Sequence, residues 1–495
     1  MSSWKKVMLS PASSGGGYWW SFAEWDQGDI TNTTSSFSYT EGAYNYCYNN
    51  PIDSSGNIYG AFQFRRPYTG STYNTTAIIY KIDPNGDVAD YHAEQYGSSS
   101  STSNDAYTDL TIDSSDNLYA VKKAKNLTAG VELPLTQKFN SSLALQWEDV
   151  EGNSNLQDPS VSVDGSGNVF TIFNWASGGE QNILIKRNSS GTILQRQTWN
   201  NPNYGPSYLS YARNTKVRGA TTSPNGNILL LSTTERSGWW DAGGFSAINP
   251  STGTVAYEGS YGNNISGVVR NPTCAADSSN NVYLYAITDN ALNSQGRYAL
   301  SLRKYDTSGN FTSTFYLTNS VSNPGYPSAS NRQKKIAVDS SGYVYVVARG
   351  GISASQTNGY YIVKINTSNA SNYTVEWERH FNFSTTSGHT PLDYAGLTID
   401  ADDDLRITYH SQFGNKSVGF IKYPSDGSIT GTFSPAGMAG TPLVIGATSN
   451  FSLTSNTGSN ITINYSINST TLSYSSVTTA TTPTITSTFT NEPLV

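Results

Sequence analysis

The chain has 495 residues and a formal net charge of −7; only 13% of its residues are charged, 36% are hydrophobic and 12% aromatic. The acidic balance excludes a nucleic-acid binder working through a broad basic surface and disfavours docking on anionic lipid, and no apolar run reaches the roughly 18 residues of a membrane span. Abundant Gly, Ser, Thr, Asn and Tyr disfavour long helices, while the rings supply enough buried area to argue against disorder.

In chain order, residues 1–37 come first as an aromatic N-terminal arm carrying Trp4, Trp19, Trp20 and Trp25. They contain no apolar run of export-signal length. The tryptophans have two readings. They supply a closing strand or a packing surface for the next domain, or they anchor the chain in a partner, since Trp and Tyr dominate interface hot spots.

A recurring turn between two short strands then sets the architecture. It runs Asp53-Ser-Ser-Gly-Asn57-Ile-Tyr59, then Asp113 to Asn117 and Tyr119, then Asp164 to Asn168 and Phe170. It continues as Ser223 to Asn227 and Leu229, Asp277 to Asn281 and Tyr283, Asp339 to Tyr343 and Tyr345, and Asp400-Ala-Asp402-Asp403-Asp404-Leu-Arg406. Successive starts lie 60, 51, 59, 54, 62 and 61 residues apart. The leading Asp accepts backbone N–H bonds two residues on, and Gly, Asn or Asp at the fourth and fifth positions tolerates the left-handed conformation of a tight hairpin. The flanks are half-buried strand patterns. Each unit carries a second hairpin, and a lysine recurs on it at 81, 138, 186, 304, 364 and 422.

Four antiparallel strands per unit, seven times over, predict an all-β seven-bladed β-propeller at residues 38–433. The Asp-x-x-Gly-Asn-x-Tyr repeat resembles the SBBP type, close in pattern to NHL-like propellers. That resemblance implies fold and is nearly silent on function. The a–b and c–d turns fall on one face. The long, irregular b–c and d–a loops fall on the other, where binding usually lives. Arg65, Arg66, Tyr68, Tyr204, Tyr208, Trp239 and Trp240 are the binding candidates there, and the Trp239–Trp240 pair suits stacking on sugar rings.

Residues 434–495 are rich in Thr and Ser, with alternating runs at 461–467 and 471–477, and read as a small β-module appended to the ring. Chemistry is sparse. Four histidines, His92, His380, His389 and His410, show no metal-ligand spacing. Asp400, Asp402 and Asp404 concentrate carboxylates in a way that suits calcium, yet the aligned turns are Ser-Ser and no downstream Glu completes a loop, so a solvated acidic turn is the preferred reading. Cys47 and Cys274 lie in well-separated units and read as buried thiols. The repeated lysines read as architectural, their stems covering inter-blade rings. No cofactor is expected.

A Tyr/Asn/Thr/Ser-rich surface without an export signal fits a virion component, while sequon-like triplets are expected by chance in so Asn/Ser/Thr-rich a chain. Trp4-Lys-Lys-Val7 also resembles a segment at the start of structural proteins from marine cyanobacterial phages. The expectation is a non-enzymatic virion protein of a tailed phage, of tail-fibre or capsid-decoration type. It would be displayed on the particle exterior and be oligomeric through particle symmetry, with other virion proteins and host-surface glycan as its partners. A glycan-binding adhesin and a propeller lyase are the alternatives.

Overall fold

The computed structural model describes residues 4–9, 17–25, 42–44, 47–67, 73–99, 106–126, 131–151, 156–175, 181–200, 214–236, 239–262, 269–288, 299–319, 334–349, 360–370, 372–383, 394–410, 416–433, 443–448, 451–455 and 468–470. The chain opens with β1 (Trp4–Met8) and β2 (Trp19–Trp25). Blade 1 follows as β3 (Gly42–Tyr44), β4 (Ile58–Pro67), β5 (Tyr73–Ile82) and β6 (Val88–Ser99). Blade 2 is β7 (Tyr107–Ile112), β8 (Leu118–Asn126), β9 (Val131–Phe139) and β10 (Leu145–Val150). Blade 3 is β11 (Leu156–Val163), β12 (Val169–Trp175), β13 (Gln181–Arg187) and β14 (Ile193–Asn200). Blade 4 is β15 (Asn214–Thr222), β16 (Ile228–Arg236), β17 (Trp239–Ile248) and β18 (Val255–Gly262). Blade 5 is β19 (Val269–Ala276), β20 (Val282–Thr288), β21 (Ala299–Tyr305) and β22 (Phe311–Asn319). Blade 6 is β23 (Ile336–Val338), β24 (Val344–Arg349), β25 (Tyr360–Asn366) and β26 (Thr374–Phe383). Blade 7 contributes β27 (Tyr394–Ile399), β28 (Leu405–His410) and β29 (Lys416–Tyr423); the tail adds β30 (Gly431–Phe433), β31 (Leu443–Thr448), β32 (Phe451–Ser455) and β33 (Asn468–Thr470).

These strands form seven antiparallel sheets, each an up-and-down meander, which is the seven-bladed ring that the repeat spacing predicts. Among the described residues blade 7 has three strands of its own. Its fourth is β2, which pairs with β29 from Trp19↔Lys422 to Trp25↔Lys416, and β1 adds a fifth. The first and last blade strands thus share one sheet, so the ring is closed by backbone hydrogen bonds rather than by side-chain packing alone. Of the two readings of the aromatic arm, the closing strand is the observed one. Trp19 is fully buried and its indole N–H donates to the Pro84 carbonyl of blade 1 at 2.8 Å. It is therefore not available as an anchor in a partner.

The described strands of the tail dock on the ring, while the alternating runs at 461–467 and 471–477 lie outside the described residues. β31 pairs with β26 of blade 6, β32 with β22 of blade 5 and β33 with β14 of blade 3, each lengthening a blade at its outer edge. Leu443 and Ile445 of β31 are buried in the same cluster as Phe381 and Tyr423, so apolar residues at every second position carry the docking.

The innermost strands meet across the axis. Residues 47–50, just before the first turn, cross it: Tyr48 N–H donates to the Thr108 carbonyl at 2.9 Å, and the Tyr48 carbonyl accepts from Lys334 N–H at 2.8 Å. Asn49 Nδ2 donates to the Ala220 carbonyl at 2.6 Å and to Asp109 at 2.9 Å. The Tyr48 ring lies so close to Gly219 that a Cβ there would fall 2.6 Å from ring carbons, which only glycine accommodates. Asp109 is fully buried and also accepts from the N–H groups of Asn49, Leu110 and Val161. Burial pushes its carboxyl up to about 7 against the pull of those donors. Residues 47–50 together with Asp109 therefore tie blades 1, 2, 3, 4 and 6 together at the centre.

Candidate functional site

The repeated turn is a closed hydrogen-bond device. In blade 1, Asp53 Oδ1 accepts from the N–H groups of Ser55 and Asn57 at 3.0 and 2.8 Å, and Oδ2 from Asn57 Nδ2 at 2.7 Å and the Tyr59 hydroxyl at 3.0 Å. Asp113 with Asn117 and Tyr119, and Asp277 with Asn281 and Tyr283, repeat the set. Asp164 with Asn168 repeats it without the hydroxyl, because Phe170 stands at that place, and Asp339 with Tyr345 repeats it without the Asn amide. Where Ser223 replaces Asp, its hydroxyl and Asn225 take over and the Asn227 N–H bonds Asn225. The left-handed residue is the fourth of each turn (Gly56, Asp116, Gly167, Gly226, Asn280, Gly342 and Asp403) and not the fifth. The fifth, expected to share that freedom, instead lends its backbone N–H to the leading Asp in every turn but that of blade 4.

The non-glycine residues at the fourth position reach the neighbouring blade. Asp116 accepts from Ser54 N–H at 2.9 Å and Ser54 Oγ at 2.6 Å, Asn280 from Asn225 N–H at 2.7 Å, and Asp403 from Ser340 N–H at 2.9 Å. Each gains an inter-blade bond that glycine lacks, which offsets the left-handed strain.

The lysines sit directly across from the residue six beyond the turn's start: Tyr59↔Lys81, Tyr119↔Lys138, Phe170↔Lys186, Tyr283↔Lys304, Tyr345↔Lys364 and Arg406↔Lys422. In the first five pairs the ammonium lies 5.1–5.5 Å from the ring centroid. Four of them also donate to a carbonyl in the turn that follows the third strand of the next blade, namely Lys81 to Ser141, Lys138 to Ser189, Lys186 to Pro250 and Lys364 to Ser425. Indole N–H groups follow the same route: Trp147 donates to the Ser189 carbonyl and Trp377 to the Ser425 carbonyl. The turn face is occupied by contacts that hold blade to blade.

In blade 7 the acidic turn faces inward to cations. Asp400 Oδ2 pairs with Arg406 Nε at 2.9 Å, while Asp404 pairs with Lys422 at 3.4 Å and accepts from the Tyr18 hydroxyl at 3.2 Å. Among the described residues no three His, Cys, Asp or Glu side chains converge as a metal site.

Two buried ionic clusters escaped the sequence reading. Between blades 1 and 2, Glu94 accepts from Gln137 Nε2 at 2.7 Å, lies 2.9 Å from His92 Nε2 and pairs with Lys122, which is fully buried. Tyr107 donates to Gln137 at 3.0 Å, and burial beside Glu94 raises its phenol well above the ordinary value. Between blades 2 and 3, the fully buried Arg187 pairs with Asp149 at 2.6 Å and with Glu151 at 2.5 Å, and Arg196 pairs with Glu151 at 3.0 Å. The only signal in the sequence was a charged residue at strand positions that are apolar in other units. Chemically the first cluster has the parts of an acid–base site, but its members face one another at under a tenth exposure, apart from the edge of His92.

Of the other histidines, His380 is buried beneath β31 against Tyr361, and burial lowers it to about 4. His410 ends β28 opposite Tyr394. His389 lies outside the described residues. Cys47 and Cys274 are buried free thiols, as expected. Burial raises both.

On the loop face the backbone places Trp239 and Trp240 at the start of β17, opposite Arg236 and Glu235 across a two-residue connection. Arg65 and Arg66 lie near the end of β4, opposite Thr75 and Asn74. Tyr68, Tyr204 and Tyr208 lie outside the described residues. Trp4 opens β1 opposite Ala23, while Trp20 and Trp25 lie on β2, whose pairing partner is β29. The named loop-face residues that are described thus fall on two separate blades, 1 and 4.

No family model and no curated protein matches the chain. Among solved structures, a PL25 ulvan lyase bound to a GlcA–Rha3S unit aligns with TM-score 0.43 and 8% identity, over 79% of this chain and 96% of that one. A subtype N10 neuraminidase-like protein of A/little yellow-shouldered bat/Guatemala/060/2010 aligns with TM-score 0.39 and 12% identity, over 64% and 93%. A protein of unknown function from Dyadobacter fermentans aligns with TM-score 0.37 and 9% identity, over 77% and 99%. At these levels the likeness carries no argument about activity.

Proposed function

We propose that this chain is a non-enzymatic structural and attachment module, a virion protein of tail-fibre or capsid-decoration type from a tailed phage, whose loop face meets its partner. The observation that carries the non-enzymatic part is the use made of the interior. The Asp turns, lysines, ionic clusters and axial segment 47–50 direct their polar groups at neighbouring blades. That is the pattern of a scaffold, with recognition left to its irregular loops. The virion assignment rests on the surface composition and on the Trp4-Lys-Lys-Val7 opening. Its partners are other virion proteins, with oligomerisation through particle symmetry; nucleic acid and membrane are not among them. Among the described residues no helix is long and apolar enough to cross a membrane. Mass spectrometry of gradient-purified particles tests the assignment. The chain should copurify at a fixed ratio to the major particle protein, and its absence from every particle fraction would overturn it.

A second reading, glycan binding, is favoured by the backbone pairing that sets Trp239 opposite Arg236 and Trp240 opposite Glu235 at the start of β17. On a glycan array, the Trp239→Ala/Trp240→Ala variant should lose binding that the parent chain shows. Retained binding would remove this pair from the site.

A further inference from the structure

The cluster between blades 1 and 2 holds an amine and a carboxyl in direct contact, away from water. Glu94 stands on β6, the outermost strand of blade 1, opposite Ala77. Lys122 stands on β8 of blade 2, opposite Tyr107 on one side and Leu135 on the other. Its Nζ meets Glu94 Oε2, and its side chain is fully buried. Counted from the start of each turn, Lys122 falls where blades 1, 3 and 7 carry Phe62, Phe173 and Tyr409, and blades 5 and 6 carry Ala286 and Ala348. A lysine there gives up apolar packing and takes a charge out of water, a cost that a buried ion pair does not reliably recover.

Donors gather on the other oxygen of the same carboxyl. Oε1 accepts from Gln137 Nε2 at 2.7 Å and lies 2.9 Å from His92 Nε2. Gln137 is held in turn by the Tyr107 hydroxyl, which donates to its Oε1 at 3.0 Å. Lys122 Nζ lies 4.7 Å from the centroid of the Tyr107 ring and 3.5 Å from its hydroxyl, and the His92 ring lies 4.6 Å from that of Phe139. The nucleophile thus faces one oxygen, while groups able to take up charge on the carbonyl face the other. Amide formation needs that arrangement, with the reacting atoms held together and the developing oxyanion already met by N–H groups.

We propose that Lys122 Nζ and Glu94 Cδ join in an isopeptide bond that staples blade 1 to blade 2. In the dry site the proton moves from the ammonium to Oε2, because a neutral amine and a neutral acid need less solvation than two ions. The Nζ lone pair attacks Cδ, and the carbonyl π electrons shift onto Oε1 beneath the N–H groups of Gln137 and His92. When the carbonyl re-forms, the Cδ–Oε2 bond breaks, and Oε2 leaves as water with its own proton and one lost from Nζ. An acid and an amine become an amide and water, with no change in oxidation state and no co-reactant. The side chains of His92 and Glu94 keep 12% and 9% of their surface open, which gives the water an exit. The product replaces two buried charges by one neutral amide whose oxygen keeps Gln137 as a donor. Gln137 is the competing electrophile, since it lies two residues along β9 from Leu135, the partner of Lys122. Its amide N–H is turned to Glu94 and its carbonyl to Tyr107, which makes it the donor in this step.

The test is the mass of the intact, denatured, full-length chain, followed by peptide mapping. The parent chain should weigh one water less than its sequence requires. Digestion should yield the peptide holding Glu94 joined to the peptide holding Lys122, with no tryptic cleavage after Lys122. The Lys122→Met variant should have the full mass of its sequence and no joined peptide. A parent chain of full sequence mass would overturn the proposal and leave an ion pair. A deficit of one ammonia, with residue 122 joined to residue 137, would overturn it as well, because the carbonyl would then be that of Gln137. So would a deficit of one water that maps to other residues. Should Lys122→Met not fold, the parent chain decides alone, because both readouts are taken on denatured protein.

Discussion

The turns of blade 1 and blade 7 have the same backbone and opposite fillings. Both place a leading Asp whose Oδ1 accepts from the N–H groups two and four residues on. In blade 1 its other oxygen meets a neutral amide and a phenol, Asn57 and Tyr59, with the Lys81 ammonium as its single cation at 3.3 Å. In blade 7 it meets the buried Arg406, which faces Lys422 across the strands. Two cations side by side are tolerated because Asp404 stands where five of the other six blades carry Asn, giving two carboxylates for two cations. The departures at 404 and 406 are thus one coupled change. The turn conformation depends on the leading Asp and the left-handed fourth residue, while the position six residues on is open to any large side chain whose charge is balanced.

Breaking that balance gives the largest expected effect. Arg406→Met leaves Asp400 and Asp404 buried with one cation fewer and should cost about 3–5 kcal/mol in chemical denaturation. Arg406→Tyr combined with Asp404→Asn rebuilds the blade 1 arrangement and should recover most of that loss; no recovery would mean the two positions are independent. Next, Asp53→Ala strips the Asn57 amide, the Tyr59 hydroxyl and Lys81 of their shared acceptor and should cost about 2–3 kcal/mol.

Acid sharpens the same contrast. Burial opposes ionisation of Asp53 and Asp113, but the bonds from Asn57 or Asn117 and from the tyrosine hydroxyls prevail and hold both carboxyls below the usual value. Their contribution is complete above the unfolded-state carboxylate value and is lost as pH falls through the folded one. His380 adds to the loss at higher pH. Because burial lowers it to about 4, stability should decline as pH drops from its unfolded value of 6.5 toward 4. His380→Phe should flatten that part of a Tm-against-pH curve, and an unchanged curve would place the titration elsewhere. The smallest effect is expected of Asp116→Gly. Loss of the Ser54 cap and relief of left-handed strain nearly cancel, so the change should stay within about 1 kcal/mol.

What the sequence made legible was whatever repeats locally. The Asp turns, the lysine opposite Tyr59, Tyr119 and Tyr345, and the split into a turn face and a loop face each follow from residues a few positions apart. The axial crossing was not legible, because Tyr48 and Asn49 find partners at Thr108, Ala220 and Lys334, in other blades and in no motif. The cluster of Glu94, Lys122 and Gln137 was hidden for the same reason: its members are ordinary strand residues until three strands of two blades bring them together. The docking edges of β31, β32 and β33 were not legible either, because their partners lie on blades 6, 5 and 3, far away in the chain. On the loop face, Trp239, Trp240, Arg65 and Arg66 remain candidates by position on the backbone.

The central claim is a division of labour, with interior polar groups holding the ring and loop-face residues making contact. Thermal stability and incorporation into particles, measured side by side for Lys122→Met and for Trp239→Ala/Trp240→Ala, test it most directly. Lys122→Met should lower Tm by many degrees while the folded fraction still incorporates, and the tryptophan variant should keep its Tm and fail to incorporate. A Lys122→Met protein of unchanged Tm that fails to incorporate, beside a tryptophan variant that incorporates normally, would contradict the account.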